Sequence, residues 1–293
     1  MSAAQYPAVS VIMPVLNEER HLRNSVRHIL EQEYPGEMEV VIALGPSADR
    51  TDEIAAELVA EDPRVHTVPN PTGRTPAALN AAIKASRHPV VVRVDGHGML
   101  SPNYIATAVR LLEETGAQNV GGIMHAEGEN AWEDAVAAAM TSKIGVGNAA
   151  FHTGGQAGPA ETVYLGVFRR EALERADGYN VEFIRAQDWE LNFRIREAGG
   201  LSSDPATIAA GLVLGATVTP WALVVPGGYL AAIVAGSLPA GKGLPLKARV
   251  QIPVALATMH MCWGFGFLTS PRSLAKRVIA SRRPAMTGSS ETV

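Results

Sequence analysis

Apolar positions in the first 115 residues fall into short runs that alternate with helical stripes. Val9 to Val15 is apolar apart from Ser10, gives way to Asn17, and is followed by Leu22, Val26, Ile29 and Leu30 at helical spacing. That order reads as strand, loop, helix. Met38 to Leu44 repeats the run, and Thr51 caps a segment carrying Ile54, Leu58 and Val59. Val65 to Val68 is a third strand, after which Thr75-Pro76 places a cap and a first-turn proline ahead of Leu79 and Ile83. Pro89 to Val94 is a fourth, ending at Asp95, and Ser101-Pro102 opens a helix with Ile105, Val109 and Leu112 on one face. Strands alternating with helices predict an α/β fold with a mostly parallel sheet covered on both sides. Such sheets bind ligands beyond the carboxyl ends of their strands, where Asn17, Gly45 to Asp49 and Asp95 fall.

The pattern changes after residue 204. No charged residue occurs from Pro205 to Gly241 or from Val250 to Pro271, and either stretch reaches the roughly 20 residues that cross a bilayer. The sequence therefore predicts a domain over 1–204, transmembrane helices over 205–271 and a basic tail over 272–293. Pro220, Pro226, Gly227 and Gly228 could divide the first stretch into a hairpin, making three spans instead of two. Two spans keep Arg272 to Arg283 on the cytoplasmic side, as the positive-inside tendency favours; two spans, or one span plus a re-entrant pair, are the preferred reading. A buried helical subdomain is the alternative.

Charge sharpens this division. Residues 206–293 carry a balance of +7, which leaves −11 for residues 1–205 out of a total of −4. An acidic first part argues against nucleic acid as a partner, and a basic apolar second part argues for a membrane. Residues 1–8 lack the basic start and apolar run of a signal peptide, so the first domain is expected in the cytoplasm, on a multi-pass protein of the cell membrane. Cys262, the single cysteine, sits among apolar residues and reads as packing.

The candidate chemistry lies at the strand ends. A site that releases a phosphate-bearing leaving group needs a cation or fixed positive charge beside it. Asp95 is a suitable hard ligand for Mg²⁺ or Mn²⁺, and His97 a second ligand or a phosphate contact. The plain alternative for Asp95-Gly96 is a turn. Asp188 opens a helix whose Leu191, Ile195 and Ala198 face inward with Gly199 as its stop; there it is either a general base or a carboxylate favoured by the helix dipole. Residues 141–160 are rich in glycine and short side chains, as either an acceptor loop or a plain surface loop would be.

Four segments carry a resemblance: Val9-Ser10-Val11-Ile12-Met13-Pro14-Val15-Leu16-Asn17-Glu18, Arg93-Val94-Asp95-Gly96-His97, Thr162-Val163-Tyr164-Leu165-Gly166-Val167-Phe168-Arg169 and Gln187-Asp188-Trp189-Glu190-Leu191-Asn192. In this order the stretch from Val9 to Gly200 resembles the GT-A catalytic domain of family 2 inverting glycosyltransferases, of the succinoglycan-biosynthesis glucosyltransferase type. The resemblance implies that Pro14, Asn17 and Glu18 line the donor pocket with Asp49, Arg74 and Asp95. It implies a metal at Asp95 and His97, where His97 replaces the second acid of the usual Asp-x-Asp pair. It makes Asp188 the catalytic base, with Arg185, Gln187 and Trp189 on the acceptor side, Gln187 standing where the family has Glu. Asp49 is equally a helix cap, and Arg74 equally an ordinary surface arginine.

The expected activity is transfer of a hexose from a nucleotide-diphosphate sugar, UDP-linked by preference, to a lipid-linked or polysaccharide acceptor at the membrane. A polyprenyl-phosphate sugar synthase is the near alternative, and a catalytically weak membrane scaffold the distant one. The scaffold reading is motivated by a departure from the family: Gly199-Gly200-Leu201 leads almost directly into the apolar stretch, where the family has a further strand and interfacial helix.

Overall fold

A computed structural model describes residues 6–146, 152, 163–199 and 224–269. These form two compact units, one from residues 6–124 and 163–199, the other from 125–146, 152 and 224–269. The second unit thus includes residues from within the predicted 1–204 domain.

The first unit holds strands β1 (Val9–Val15), β2 (Met38–Leu44), β3 (Val65–Pro69), β4 (Val90–Arg93), β5 (Asn119–Gly122) and β6 (Tyr164–Arg169) in one sheet, ordered β3-β2-β1-β4-β6-β5. The four predicted strands pair in parallel, with Val9 opposite both Met38 and Val90. Two further strands complete the sheet: β6 runs antiparallel to β4 and β5 antiparallel to β6. Helices α1 (Leu22–Leu30), α2 (Thr51–Glu61), α3 (Thr75–Ala85) and α4 (Tyr104–Thr115) link the parallel strands or follow them. Helix α7 (Arg170–Arg175) follows β6 and precedes α8 (Gln187–Gly199).

Side-chain alternation in the strands divides the core in two. Val9, Val11, Met13 and Val15 of β1 pack with Leu22, Val26 and Ile29 of α1 and with Ile105, Val109 and Leu112 of α4. Ile12 joins Val41, Val91 and Phe168 under Leu79, Leu173, Leu191 and Ile195, from α3, α7 and α8. Ala198, expected to face inward, is exposed, because the buried side of α8 runs through Leu191, Asn192 and Ile195. Thr51 and Thr75 are the first helical residues of α2 and α3, and Arg50 and Arg74 hold the cap positions.

One polar cluster sits inside this apolar sheet. Glu39 is 3% exposed, and its Oε1 accepts from Ser10 Oγ at 2.6 Å and from the Arg87 N–H at 2.9 Å. Burial pushes its carboxyl up, but these hydrogen bonds and the nearby His88 and Arg87 bring it below the usual range. Ser10 Oγ also accepts the His88 N–H at 3.0 Å. Ser10→Ala leaves a buried carboxylate and a buried amide each short of a partner. It should destabilise the fold by about 1–2 kcal/mol, read as a lower denaturation midpoint with an unchanged slope.

The second unit contains α5 (Ala131–Met140), α6 (Lys143–Val146), α9 (Val224–Ala240), α10 (Leu246–Arg249) and α11 (Ile252–Thr269). Asn130 caps α5, its Oδ1 accepting from the N–H groups of Trp132 and Glu133. Ala135 and Ala139 pack with Ile233, Ile252, Ala255 and Leu256. Pro226, Gly227 and Gly228 lie within α9 and do not divide it, and Cys262 is exposed rather than packed. Among the described residues no helix is long and apolar enough to cross a membrane. Residues 200–223, most of the glycine-rich stretch 141–160 and the basic tail 272–293 lie outside the described residues.

Candidate functional site

The loops that leave β1 and β2 are laced together. Asn17 has φ 56°, a conformation that asparagine tolerates better than most side chains. Its Oδ1 accepts the Ala48 N–H at 2.7 Å, and its own N–H donates to Ser47 Oγ at 3.0 Å. The Glu18 N–H donates to Thr51 Oγ1 at 2.7 Å and the Glu19 N–H to Asp49 Oδ2 at 3.2 Å. Asp49 Oδ1 accepts the Thr51 N–H at 3.0 Å and the Thr51 hydroxyl, the bond that does most to hold its carboxyl below the usual range. Asp49 therefore serves the first turn of α2, as the cap reading has it, and joins that turn to the β1 loop.

Beyond the carboxyl ends of β1 and β4 lies a cavity of about 330 Å³ whose lining includes Pro14, Glu18, Arg93, Asp95, His97 and Gln187. Five of these were expected site residues. Arg93 was not. Asn17, Asp49 and Arg74 are not lining residues, although Gly73 and Thr75 on either side of Arg74 are. The Arg74 side chain is exposed. A second cavity of about 380 Å³ at the ends of β2 and β3 includes Leu44, Gly45, Pro46 and Asp52, and shares Asn70 with the first.

Arg93 organises the charges. It is the last residue of β4 and 4% exposed, with its guanidinium 6.0 Å from the centre of the Tyr179 ring. Its Nε donates to Asp95 Oδ1 at 3.0 Å, Nη2 lies 3.5 Å from Asp95 Oδ2, and Nη1 donates to Asp188 Oδ1. Burial by itself disfavours the guanidinium charge, but Tyr179, Asp95 and Asp188 outweigh it, so Arg93 stays cationic. Burial raises the Asp188 carboxyl above its ordinary range; Arg93 opposes the shift and the Asp95 charge adds to it. Asp188 Oδ2 has no hydrogen-bond partner among the described residues.

Asp188 lies in the first turn of α8, which is fixed from behind. Arg194 Nε and Nη2 grip Glu190 at 2.6 and 2.7 Å, and the same guanidinium donates to the carbonyls of Gly178, at 2.8 Å, and Ala176. The turn that carries Tyr179 is thereby tied to the helix that carries Asp188. Of the expected acceptor residues, Gln187 lines the cavity, Arg185 is exposed, and Trp189 is 45% exposed and stacks on Phe193 with ring centres 6.0 Å apart.

The expected metal ligands, Asp95 and His97, both line this cavity. His97 Nδ1 lies 2.7 Å from Glu18 Oε1, and that hydrogen bond, against the effect of burial, raises the imidazole pKa. Among the described residues no group of three His, Cys, Asp or Glu side chains could hold a metal ion. Asp95 lines the cavity as a hard carboxylate, with Glu18 in the same lining. It suits Mg²⁺ or Mn²⁺ in the manner common for these ions, with one carboxylate and the remaining ligands from substrate phosphate and water.

A family model described as glycosyl transferase family 2 matches residues 10–176. The chain is 34% identical over 191 residues to the succinoglycan biosynthesis protein ExoA of Rhizobium meliloti, covering 64% of this chain and 58% of that protein. It is 29% identical over 196 residues to a beta-monoglucosyldiacylglycerol synthase of Trichormus variabilis, covering 64% and 41%. The chain thus spans less than two thirds of the length of either relative. Residues 1–349 of S. aureus TarS share the fold at a TM-score of 0.50 and 16% identity, over 90% of this chain and 75% of that one. The mannosyltransferase PcManGT of Pyrobaculum calidifontis, solved with GDP-Man and Mn²⁺, does so at 0.52 and 20%, over 95% and 80%. The sheet is therefore of the GT-A kind, and with a family match over more than half its length, the chain belongs to glycosyl transferase family 2.

Proposed function

We propose that this chain is an inverting hexosyltransferase, using a nucleotide-diphosphate sugar, UDP-linked by preference, and a lipid-linked or polysaccharide acceptor. One observation carries the reading: Asp95 and Asp188, from distant parts of the chain, meet on one buried guanidinium beside a cavity at the strand ends. In a single displacement the acceptor oxygen attacks the anomeric carbon while a carboxylate takes its proton and the nucleoside diphosphate leaves. Asp188 is that carboxylate, oriented through Oδ1 with Oδ2 left for the proton. Glu18 and His97 border the space for the donor, and Gln187, on the acceptor side, lines the same cavity. A divalent ion, when bound, would be held by Asp95 and the donor phosphates and offset the charge of the leaving group.

The acceptor class draws support from relatives named for succinoglycan biosynthesis and for a glucosyldiacylglycerol synthase. Membrane association draws support from the second unit, and the catalytic unit is placed on the cytoplasmic side as part of the same proposal. Leu238, Leu246, Val250 and Met261 are each more than 60% exposed, and Leu246 and Val250 flank the basic Lys247 and Arg249 of α10. Exposed apolar side chains interleaved with basic ones suit an anionic lipid surface.

The test is a panel of radiolabelled UDP- and GDP-sugars incubated with membranes containing the full chain, followed by counting of lipid extract and polymer. Label transferred from one donor, together with co-flotation of the chain with anionic vesicles, is the expected result. A folded, membrane-bound protein that transfers from no donor would favour the scaffold reading instead.

A further inference from the structure

Arg93 has a property that the proposed chemistry leaves unused. It bonds both the carboxylate assigned to the diphosphate side and the carboxylate assigned to the acceptor side. Both Asp95 oxygens lie within 3.5 Å of Arg93 nitrogens, so a divalent ion approaching Asp95 meets a fixed positive charge beside it. Arg93 cannot easily withdraw. It is 4% exposed, ends a strand in the middle of the sheet, and has the Tyr179 ring beside it. The expected second ligand, His97, has its Nδ1 engaged by Glu18 Oε1 at 2.7 Å, and among the described residues no group of three His, Cys, Asp or Glu side chains could hold the ion.

We propose that Arg93 is the resident cation of this site: in the ligand-free protein it holds Asp95 and Asp188 together and keeps Mg²⁺ or Mn²⁺ off Asp95, which accepts an ion only together with a nucleoside diphosphate. A diphosphate changes the balance in two ways. Its oxygens supply ligands in addition to Asp95, and its charge gives the guanidinium, which lines the same cavity, an alternative partner. The order of binding is then set by one side chain, and free metal is not held in an empty site. This inference rests on the reading of Asp95 as the diphosphate-side carboxylate, but its test does not need transfer to occur.

Mn²⁺ is titrated into the full chain in detergent and followed by loss of the free-ion EPR signal, alone and with UDP or GDP, for wild type, Arg93→Gln, Arg93→Lys and Asp95→Asn. Wild type without nucleotide should bind Mn²⁺ at least ~10-fold more weakly than Arg93→Gln, the scale of one charge-assisted hydrogen bond. Arg93→Lys should remain weak, and Asp95→Asn should lose the nucleotide-dependent binding. Equal nucleotide-free affinity in wild type and Arg93→Gln would overturn the proposal. Should Arg93→Gln prove misfolded by circular dichroism, wild type decides alone: nucleotide-free binding as tight as binding with UDP or GDP overturns it, and binding at least ~10-fold tighter with either nucleotide supports it. Failure of the donor reading looks different, because neither nucleotide would then bind while the nucleotide-free comparison of wild type with the Arg93 variants still discriminates.

Discussion

Asp188→Asn should lower sugar transfer by ~10²–10⁴-fold while leaving the fold and nucleotide affinity unchanged, because the proton acceptor is lost and little else is. The amide keeps the shape of the carboxylate and an oxygen for Arg93 Nη1, so α8 stays tied at its first turn. The loss should appear in kcat, with the donor KM near its wild-type value. Asp188 also sets the pH profile. Its carboxyl is raised by burial, and a base works only when unprotonated, so the rate should fall as pH drops through a value above the ordinary aspartate range. Asp188→Asn should abolish that acid limb along with the rate. A variant within tenfold of wild type, or one with the same acid limb, would remove Asp188 from the proposed role.

How far such a site could be read in advance depended on where each residue's partner lies. β1 to β4 were legible because each is a mainly apolar run followed by a loop and a helix, so one stretch of sequence holds the whole signal. β5 was not: Asn119–Gly122 ends in two glycines and none of its residues is fully buried, so no alternation marks it. Its place is set by pairing with β6, more than forty residues away. Asp95 and Asp188 could be picked out as acids at element boundaries. Arg93 was passed over, although a charge at the end of a buried strand requires a partner: Asp95 lies two residues on, but the second partner, Asp188, comes from α8. His97 was paired in expectation with Asp95, two residues away, and its hydrogen bond to Glu18 on the β1 loop could not be seen from the sequence. The second unit was hardest to read. Its C-terminal helices are apolar on every side, so nothing in their spacing distinguishes Ile233 and Leu256, which are buried, from Leu238 and Met261, which are exposed.

The same dependence on distant partners makes Gly178 a sensitive position. Gly178 has φ +65°, and a Cβ there would lie 2.5 Å from Asn80 Oδ1. That oxygen accepts the Tyr179 N–H at 2.7 Å, while Asn80 Nδ2 donates to the Tyr179 carbonyl at 2.7 Å. The Gly178 carbonyl in turn accepts from Arg194, which holds Glu190 in the helix of Asp188. Gly178→Val therefore combines backbone strain with the displacement of Asn80 from both of its bonds to Tyr179, and should cost about 2–5 kcal/mol. Gly116 provides the comparison: its φ is +66°, but a Cβ there meets nothing within 4 Å. Gly116→Val should carry the strain alone, about 1–3 kcal/mol, and leave transfer unchanged at a temperature where both variants are folded. Gly178→Val, in its folded fraction, should also lose kcat, because Tyr179 lies beside Arg93 and Arg93 orients Asp188. Chemical denaturation of the two variants and kcat below their midpoints separate these effects. Equal destabilisation with equal activity would mean that the Asn80 to Tyr179 link does not reach the site.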